Sequence, residues 1–162
     1  MPMVSRNNDR RPVILWVEDN PYSPLLRFIP EQVEEKGIGI ETATGVRVLR
    51  ETLHEIGDMA RVKGIILDIM IRGAPDLKAF GMEQIKLGDG DETGMSLIKH
   101  IFRKENGAFP ELNDTPILVL TISPTVFKRD FEKYRKIELA RKYDRASDWE
   151  SIVKSWIAER AG

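Results

Sequence analysis

The residues of this chain most able to do chemistry stand where short apolar runs stop. Val13 to Val17 (VILWV) runs straight into Glu18 and Asp19, and Gly64 to Asp68 (GIILD) ends on Asp68. Pro116 to Thr121 (PILVLT) ends on Thr121, and Ile137 to Lys142 ends on Lys142. Carboxylates held a few ångströms apart raise one another's pKa unless a cation lies between them. A hard divalent cation with oxygen ligands relieves that repulsion, and Mg²⁺ suits one or two carboxylates completed by waters and phosphate oxygens. If the first and third runs lie side by side, Glu18, Asp19 and Asp68 therefore form a candidate Mg²⁺ site. Glu18 and Asp19 alone, followed by Asn20 and Pro21, read equally well as a turn after a strand. Asp68, Thr121 and Lys142, each at the end of another run, favour the site.

The elements that must position these residues follow from the apolar pattern. Continuous β-branched runs such as VILWV are those of strands buried on both faces of a parallel sheet. After Pro21, Leu25, Leu26, Ile29 and Val33 share a helix face, with Pro30 as a kink, and Gly37 closes the helix. Ile38 to Thr42 is a second, weaker strand. Val46, Leu49, Leu53 and Ile56 repeat at helical spacing before Gly57. The third strand ends at Asp68, and a stretch to about Glu92 exceeds the roughly 2–6 residues usual between a strand and a helix. Gly94, Leu97, Ile98, Ile101 and Phe102 mark the next helix, and PILVLT the fourth strand. Ser123-Pro124 reads as a helix start, with Phe127, Phe131 and Tyr134 as its apolar face. Ile137 to Lys142 is a fifth strand, and Ser147 with Glu150 forms a capping pair before Trp149, Ile152, Val153, Trp156 and Ile157. Strands alternating with helices predict an α/β fold: a doubly wound five-stranded parallel sheet flanked by five helices.

Composition bounds what such a fold does. The 162 residues suit one domain, and 41% apolar with 31% charged residues is ordinary for a globular chain. A net charge of −1 gives no reason to expect nucleic acid, whose binding surfaces run basic. The absence of cysteine removes disulfides, thiolate metal sites and thiol nucleophiles together. No apolar run approaches the roughly 18 residues of a membrane helix, and Met1 to Pro12 has no apolar signal core. These features predict a cytoplasmic protein with no membrane partner, a flexible tail over 1–12 and one domain over 13–160 that ends just after its fifth helix.

The segments VILWVEDN, GIILDIM, TGMSLIKHI and TPILVLTIS, with the region of Lys142, resemble the signature segments of two-component response-regulator receiver domains, in the family's order. The resemblance runs from about Val13 to Ala158 and implies the flavodoxin-like receiver topology. It implies that Asp68 is the phosphoacceptor and that Glu18, Asp19, Asp68 and the backbone carbonyl of Met70 hold Mg²⁺. It makes Thr121 the switch hydroxyl and Lys142 the lysine that pairs with the phosphoryl group. An Asp carboxylate is a competent nucleophile toward phosphorus, and phosphoryl transfer asks mainly for positioning and positive charge. The implied partners are a histidine kinase or phosphotransfer protein as donor and a further protein downstream. The implied role is that of a stand-alone response regulator in a phosphorelay, a phosphoprotein rather than an enzyme.

The chain departs from that pattern in particular places. Ile71 and Arg72 stand where the family often has Met-Pro, and 72–92 reads as an inserted loop. Leu139 replaces an aromatic residue, Tyr143 replaces the proline after the lysine, and the helix after Ser123 lacks a small-residue start. The replaced Met-Pro pair and the missing aromatic favour a second reading, a receiver-like protein-binding module that works without phosphorylation, and the intact acids oppose it. A third reading, a haloacid-dehalogenase-like phosphatase, would want a second acid two residues beyond Asp68, where Met70 stands. Asp76, Asp89, Asp91 and Glu92 lack the spacing of an EF-hand and read as a solvated loop. His54 and His100 read as surface residues. Lys128, Arg129, Lys133, Arg135 and Lys136 read as a solvated basic face or a docking surface for an acidic partner.

Overall fold

The computed structural model describes residues 11–18, 37–69, 71, 76–77, 80–86, 93–122, 126, 128–142 and 148–161. The expected helix across 25–33 lies outside the described residues, as do the main part of the tail, Ser123-Pro124 and Ser147.

Strand β1 (Val13–Val17) is an interior strand, second in a five-stranded parallel sheet, and every one of its side chains is buried. It is flanked by β2 (Gly39–Ala43) and β3 (Val62–Leu67). Because side chains alternate across a strand, Val13, Leu15 and Val17 enter one apolar core, and Ile14 and Trp16 enter the other. Burying each large aliphatic side chain in this way stabilises the fold by about 1.5–3 kcal/mol. Helix α1 (Val46–Ile56) places Val46, Leu49, Leu53 and Ile56 on the first core, and the Gly57 amide bonds back to the Leu53 carbonyl at 3.2 Å.

Beyond β3 the expected insertion carries an antiparallel hairpin, β4 (Asp76–Leu77) with β5 (Met82–Lys86). Asp76 therefore stands on a strand rather than in a plain loop. Helix α2 (Thr93–Leu97) continues as a π-helical segment, Ile98–Phe102, that closes with the Arg103 amide on the Ile98 carbonyl at 2.8 Å. Leu97, Ile98, Ile101 and Phe102 are fully buried, as their spacing predicts.

Strand β6 (Ile117–Thr121) pairs with β3, and β7 (Ile137–Arg141) pairs with β6. With the hairpin set aside, the strand order is second, first, third, fourth, fifth, which is the flavodoxin-like order. Between β6 and β7 the described residues form a 3₁₀ helix, Lys128–Phe131, where the apolar spacing predicts a helix face. That helix ends at Phe131, and Tyr134 lies beyond it in a turn, its amide bonded to the Phe131 carbonyl at 2.9 Å. The chain then reverses at Lys136, whose φ is +54°, and the Lys136 carbonyl accepts the Ile117 amide at 2.9 Å.

Helix α3 (Trp149–Ala161) closes the second core with Trp149, Val153, Trp156 and Ile157. Asp148, one residue after the predicted Ser147, does the capping: it accepts the Ser151 amide at 3.3 Å and the Ser151 hydroxyl at 2.7 Å. The α3 face fits because Gly64 on β3 has no side chain. A Cβ there would lie 2.5 Å from the Trp156 ring.

Candidate functional site

In an open parallel sheet, ligands bind beyond the carboxyl ends of the strands, at the point where the strand order reverses. Here that point lies between β1 and β3. Glu18 directly follows β1, and its amide bonds to the Ala43 carbonyl at 3.0 Å. Asp68 directly follows β3, and its amide bonds to the Val17 carbonyl at 2.9 Å. The backbone of two adjacent interior strands thus places both acids at the carboxyl end of the sheet, and both are buried.

Lys142 comes to the same place from the end of β7, its amide bonded to the Thr121 carbonyl at 3.0 Å. Its Nζ lies 2.5 Å from Glu18 Oε1 and 3.1 Å from Asp68 Oδ2. The three side chains are 5%, 4% and 9% exposed, so this is a nearly dry cluster of one ammonium between two carboxylates. The neighbouring cations are engaged elsewhere. Lys136 lies 3.5 Å from Asp114, and Arg141 donates to the Val126 carbonyl. Thr121 ends β6 fully buried, two residues past the Leu67–Val119 pair that joins β6 to β3. Asp19 and Met70 lie outside the described residues. Among the described residues no three acidic or histidine side chains gather as a metal-holding group.

The charges act on one another in a readable way. Burial raises the Glu18 carboxyl above its ordinary value, against the charge and hydrogen bond of Lys142, and the Asp68 charge adds to the rise. Burial pushes the Lys142 ammonium down, but Asp68 and Glu18 outweigh it by charge and hydrogen bonding, and the net direction is up. The two ends of the pair thus point opposite ways: Glu18 toward the neutral acid, Lys142 toward the charged base. The direction at Lys142 governs the cluster, because this ammonium has two carboxylates whereas Glu18 has one ammonium.

Two supports of the site were not singled out in the sequence. Trp16 Nε1 donates to Glu18 Oε2 at 3.2 Å. The signal for it was present, since residues two apart on a strand face the same way. The second support is the start of α2. The Gly94 amide bonds to the Ile69 carbonyl at 3.0 Å, and the Thr93 hydroxyl to the Ile71 carbonyl at 3.0 Å. A Cβ on Gly94 would fall 2.4 Å from the Asp68 carbonyl oxygen, so only glycine lets α2 approach this closely. No pattern within the segment shows that α2 would rest on the residues following β3. His54 is exposed and His100 half-buried, and neither belongs to this cluster.

Solved structures share this fold. The receiver domain of a Francisella response regulator is similar at TM-score 0.56 and 18% identity, over 93% of this chain and 96% of that one. The fold is the receiver fold. A response-regulator receiver domain from Clostridium thermocellum matches that fold at TM-score 0.53 and 17% identity, over 92% of this chain and 96% of that one. The chemotaxis response regulator CheY4 of Vibrio cholerae matches it at TM-score 0.52 and 19% identity, over 94% and 99%. No protein-family model and no curated protein matches the chain. In this receiver fold, no helix among the described residues is long and apolar enough to cross a membrane.

The donor set at the switch point fits a hard divalent cation: Glu18 and Asp68 offer carboxylate oxygens alone, and a positive charge is already required between them.

Proposed function

We propose that this chain is a response-regulator receiver that accepts a phosphoryl group on Asp68 and signals by protein contacts. The observation that carries this reading is the Lys142 ammonium shared by Glu18 and Asp68 at the switch point of a receiver fold. In the transfer, an Asp68 carboxylate oxygen attacks phosphorus and a new O–P bond forms. The bond from phosphorus to the donor breaks, and the donor keeps the electron pair. The donor is a phosphohistidine of a kinase or phosphotransfer protein in the cytoplasm, or a small acyl phosphate. The protein's part is positioning and charge. Lys142 meets the incoming phosphoryl oxygens with an ammonium that the low-polarity surroundings leave unscreened. Glu18, Asp68, Asp19 and the Met70 carbonyl would hold Mg²⁺, which when bound supplies further positive charge to the phosphoryl oxygens.

Afterwards the phosphoryl group on Asp68 carries roughly two negative charges in place of the carboxylate's one, on strong acceptor oxygens. Thr121, at the end of the next strand, supplies a hydroxyl to bond them, and its movement would carry the segment that follows it toward a second arrangement. The hairpin between β3 and α2 is the feature by which this receiver would differ in the partner it meets.

Incubation with acetyl phosphate and Mg²⁺, followed by intact mass measurement, tests the proposal. The expected result is a gain of one phosphoryl group that is absent without Mg²⁺ and absent in Asp68→Asn. A gain that survives Asp68→Asn, or no gain in the unsubstituted chain with acetyl phosphate or with a phosphohistidine donor, overturns it.

A further inference from the structure

Glu18 has a long, rotatable side chain, and its usefulness at the site depends on where its carboxylate is held. Each of its oxygens meets a different donor: Oε1 faces Lys142 Nζ at 2.5 Å, and Oε2 faces the Trp16 indole N–H at 3.2 Å. Donors on both oxygens define the carboxylate plane, which one donor alone leaves free to turn. Trp16 can set that plane because it is itself immobile. It lies on an interior strand, is 1% exposed, and packs in the second core among Ile14, Ile66, Leu118 and Trp156.

Burial by itself does not force such a bond. Trp156 packs in the same core, and its buried indole N–H has no hydrogen-bond partner among the described residues. The fold therefore keeps a tryptophan on this face without giving its N–H an acceptor, whereas the N–H of Trp16 meets the acid of the site. An indole also offers a donor and no acceptor, so it can orient a carboxylate without competing with it for a cation.

We propose that Trp16 is a positioning residue of the phosphoacceptor site, its indole N–H fixing the Glu18 carboxylate for the cation that Glu18 and Asp68 share. This rests on the receiver reading given above. Groups that orient the ligands of a metal are typically worth about ten- to a hundredfold in metal affinity.

The test uses the full chain with its tryptophan indoles labelled with ¹⁵N. The chain has 3 tryptophans, and the resonance missing in Trp16→Phe identifies Trp16. Titrating Mg²⁺ into the unsubstituted chain is expected to move the Trp16 N–H resonance saturably, with smaller movement at Trp149 and Trp156. Trp16→Phe keeps an apolar ring and loses the N–H, and it is expected to bind Mg²⁺ about ten- to a hundredfold more weakly by calorimetry. Full affinity in Trp16→Phe, beside normal binding in the unsubstituted chain, overturns the inference and leaves the receiver reading intact. Absence of binding in the unsubstituted chain overturns both. Should Trp16→Phe not fold, Trp149→Phe and Trp156→Phe assign the Trp16 resonance by elimination and the unsubstituted chain decides: a Trp16 resonance that stays still while Mg²⁺ binds overturns the inference.

Discussion

The two ends of the sheet each engage a cation, one buried and one half-buried, and they do so with opposite kinds of partner. At the carboxyl end, Lys142 lies between the carboxylates of Glu18 and Asp68. At the amino end, Arg103 spreads its guanidinium over backbone carbonyls. It donates to Phe102 at 3.2 Å, Leu112 at 3.0 Å, Thr115 at 2.6 Å and Arg135 at 3.0 Å. Those neutral acceptors fasten the end of α2 to the segments leading into β6 and β7. A planar fork with five donors suits such a clasp, where a lysine would reach fewer carbonyls. The Lys142 cluster is different in kind. Its acceptors are charged and nearly dry, so its energy changes with whatever charge enters. One end is built to hold, and the other to respond.

Removing each cation breaks this comparison most directly. Lys142→Met leaves Glu18 and Asp68 buried without a counter-charge, and breaking a buried ion pair from one side costs about 3–5 kcal/mol. Added Mg²⁺ is expected to restore part of that loss, because a cation held by the two acids replaces the missing ammonium. Urea unfolding of the variant with and without Mg²⁺ measures both effects. If Mg²⁺ leaves the variant's stability unmoved, the cluster is an ion pair and not a cation site.

Arg103→Ala should cost less. Its carbonyl partners lose their donor near the surface, where water can replace it, and the lost bonds do not add. The expected destabilisation is about 2–3 kcal/mol, roughly one or two hydrogen bonds to a charged group. Mg²⁺ should restore none of it, and phosphorylation of Asp68 should persist under conditions where the variant is folded. A Mg²⁺-dependent recovery in Arg103→Ala would mean that the two ends are coupled and that the contrast between them is false.

The responsive end was far more legible in the sequence than the clasp. Acids that end strongly apolar runs announce themselves, since a parallel sheet delivers every strand's carboxyl end to one edge. That logic leads directly to Glu18, Asp68, Thr121 and Lys142, and the strand order that joins Glu18 to Asp68 is the expected one. Arg103 gave no such signal. Its acceptors are main-chain carbonyls at 102, 112, 115 and 135, and any sequence offers carbonyls, so nothing marks which arginine will find them. The same limit explains the segment before β7. The spacing of Phe131 and Tyr134 predicts one helix face, but the 3₁₀ helix stops at Phe131 and the main-chain bond from the Tyr134 amide to the Phe131 carbonyl makes a turn beyond it. The hairpin in 72–92 was hidden for a different reason: β4 has only two residues, and β5, Met-Glu-Gln-Ile-Lys, is neither an apolar run nor an alternating one.

The smallest effect, and the one that separates the two cations most finely, is that of pH. Lys142 binds its proton more tightly in the folded chain than in the unfolded one, because burial, which opposes the charge, is outweighed by Asp68 and Glu18. A base raised by folding contributes stability in full below its unfolded value, ordinarily 10.5 for lysine, and loses it as pH rises through the folded value. The unsubstituted chain should therefore lose stability across the window above 10.5 that Lys142→Met does not lose, and the gap between their unfolding curves should narrow there. Arg103→Ala retains Lys142 and should keep the loss that it brings, but burial lowers the Arg103 guanidinium to about 10, so the gap between this variant and the unsubstituted chain should widen as pH rises through the same range. Stability measured by urea unfolding in steps from neutral pH upward gives all three curves. A gap between the unsubstituted chain and Lys142→Met that stays constant through the window would show that the lysine's proton is not held by the two acids. The carboxyl end would then be a second clasp rather than a site that answers to charge.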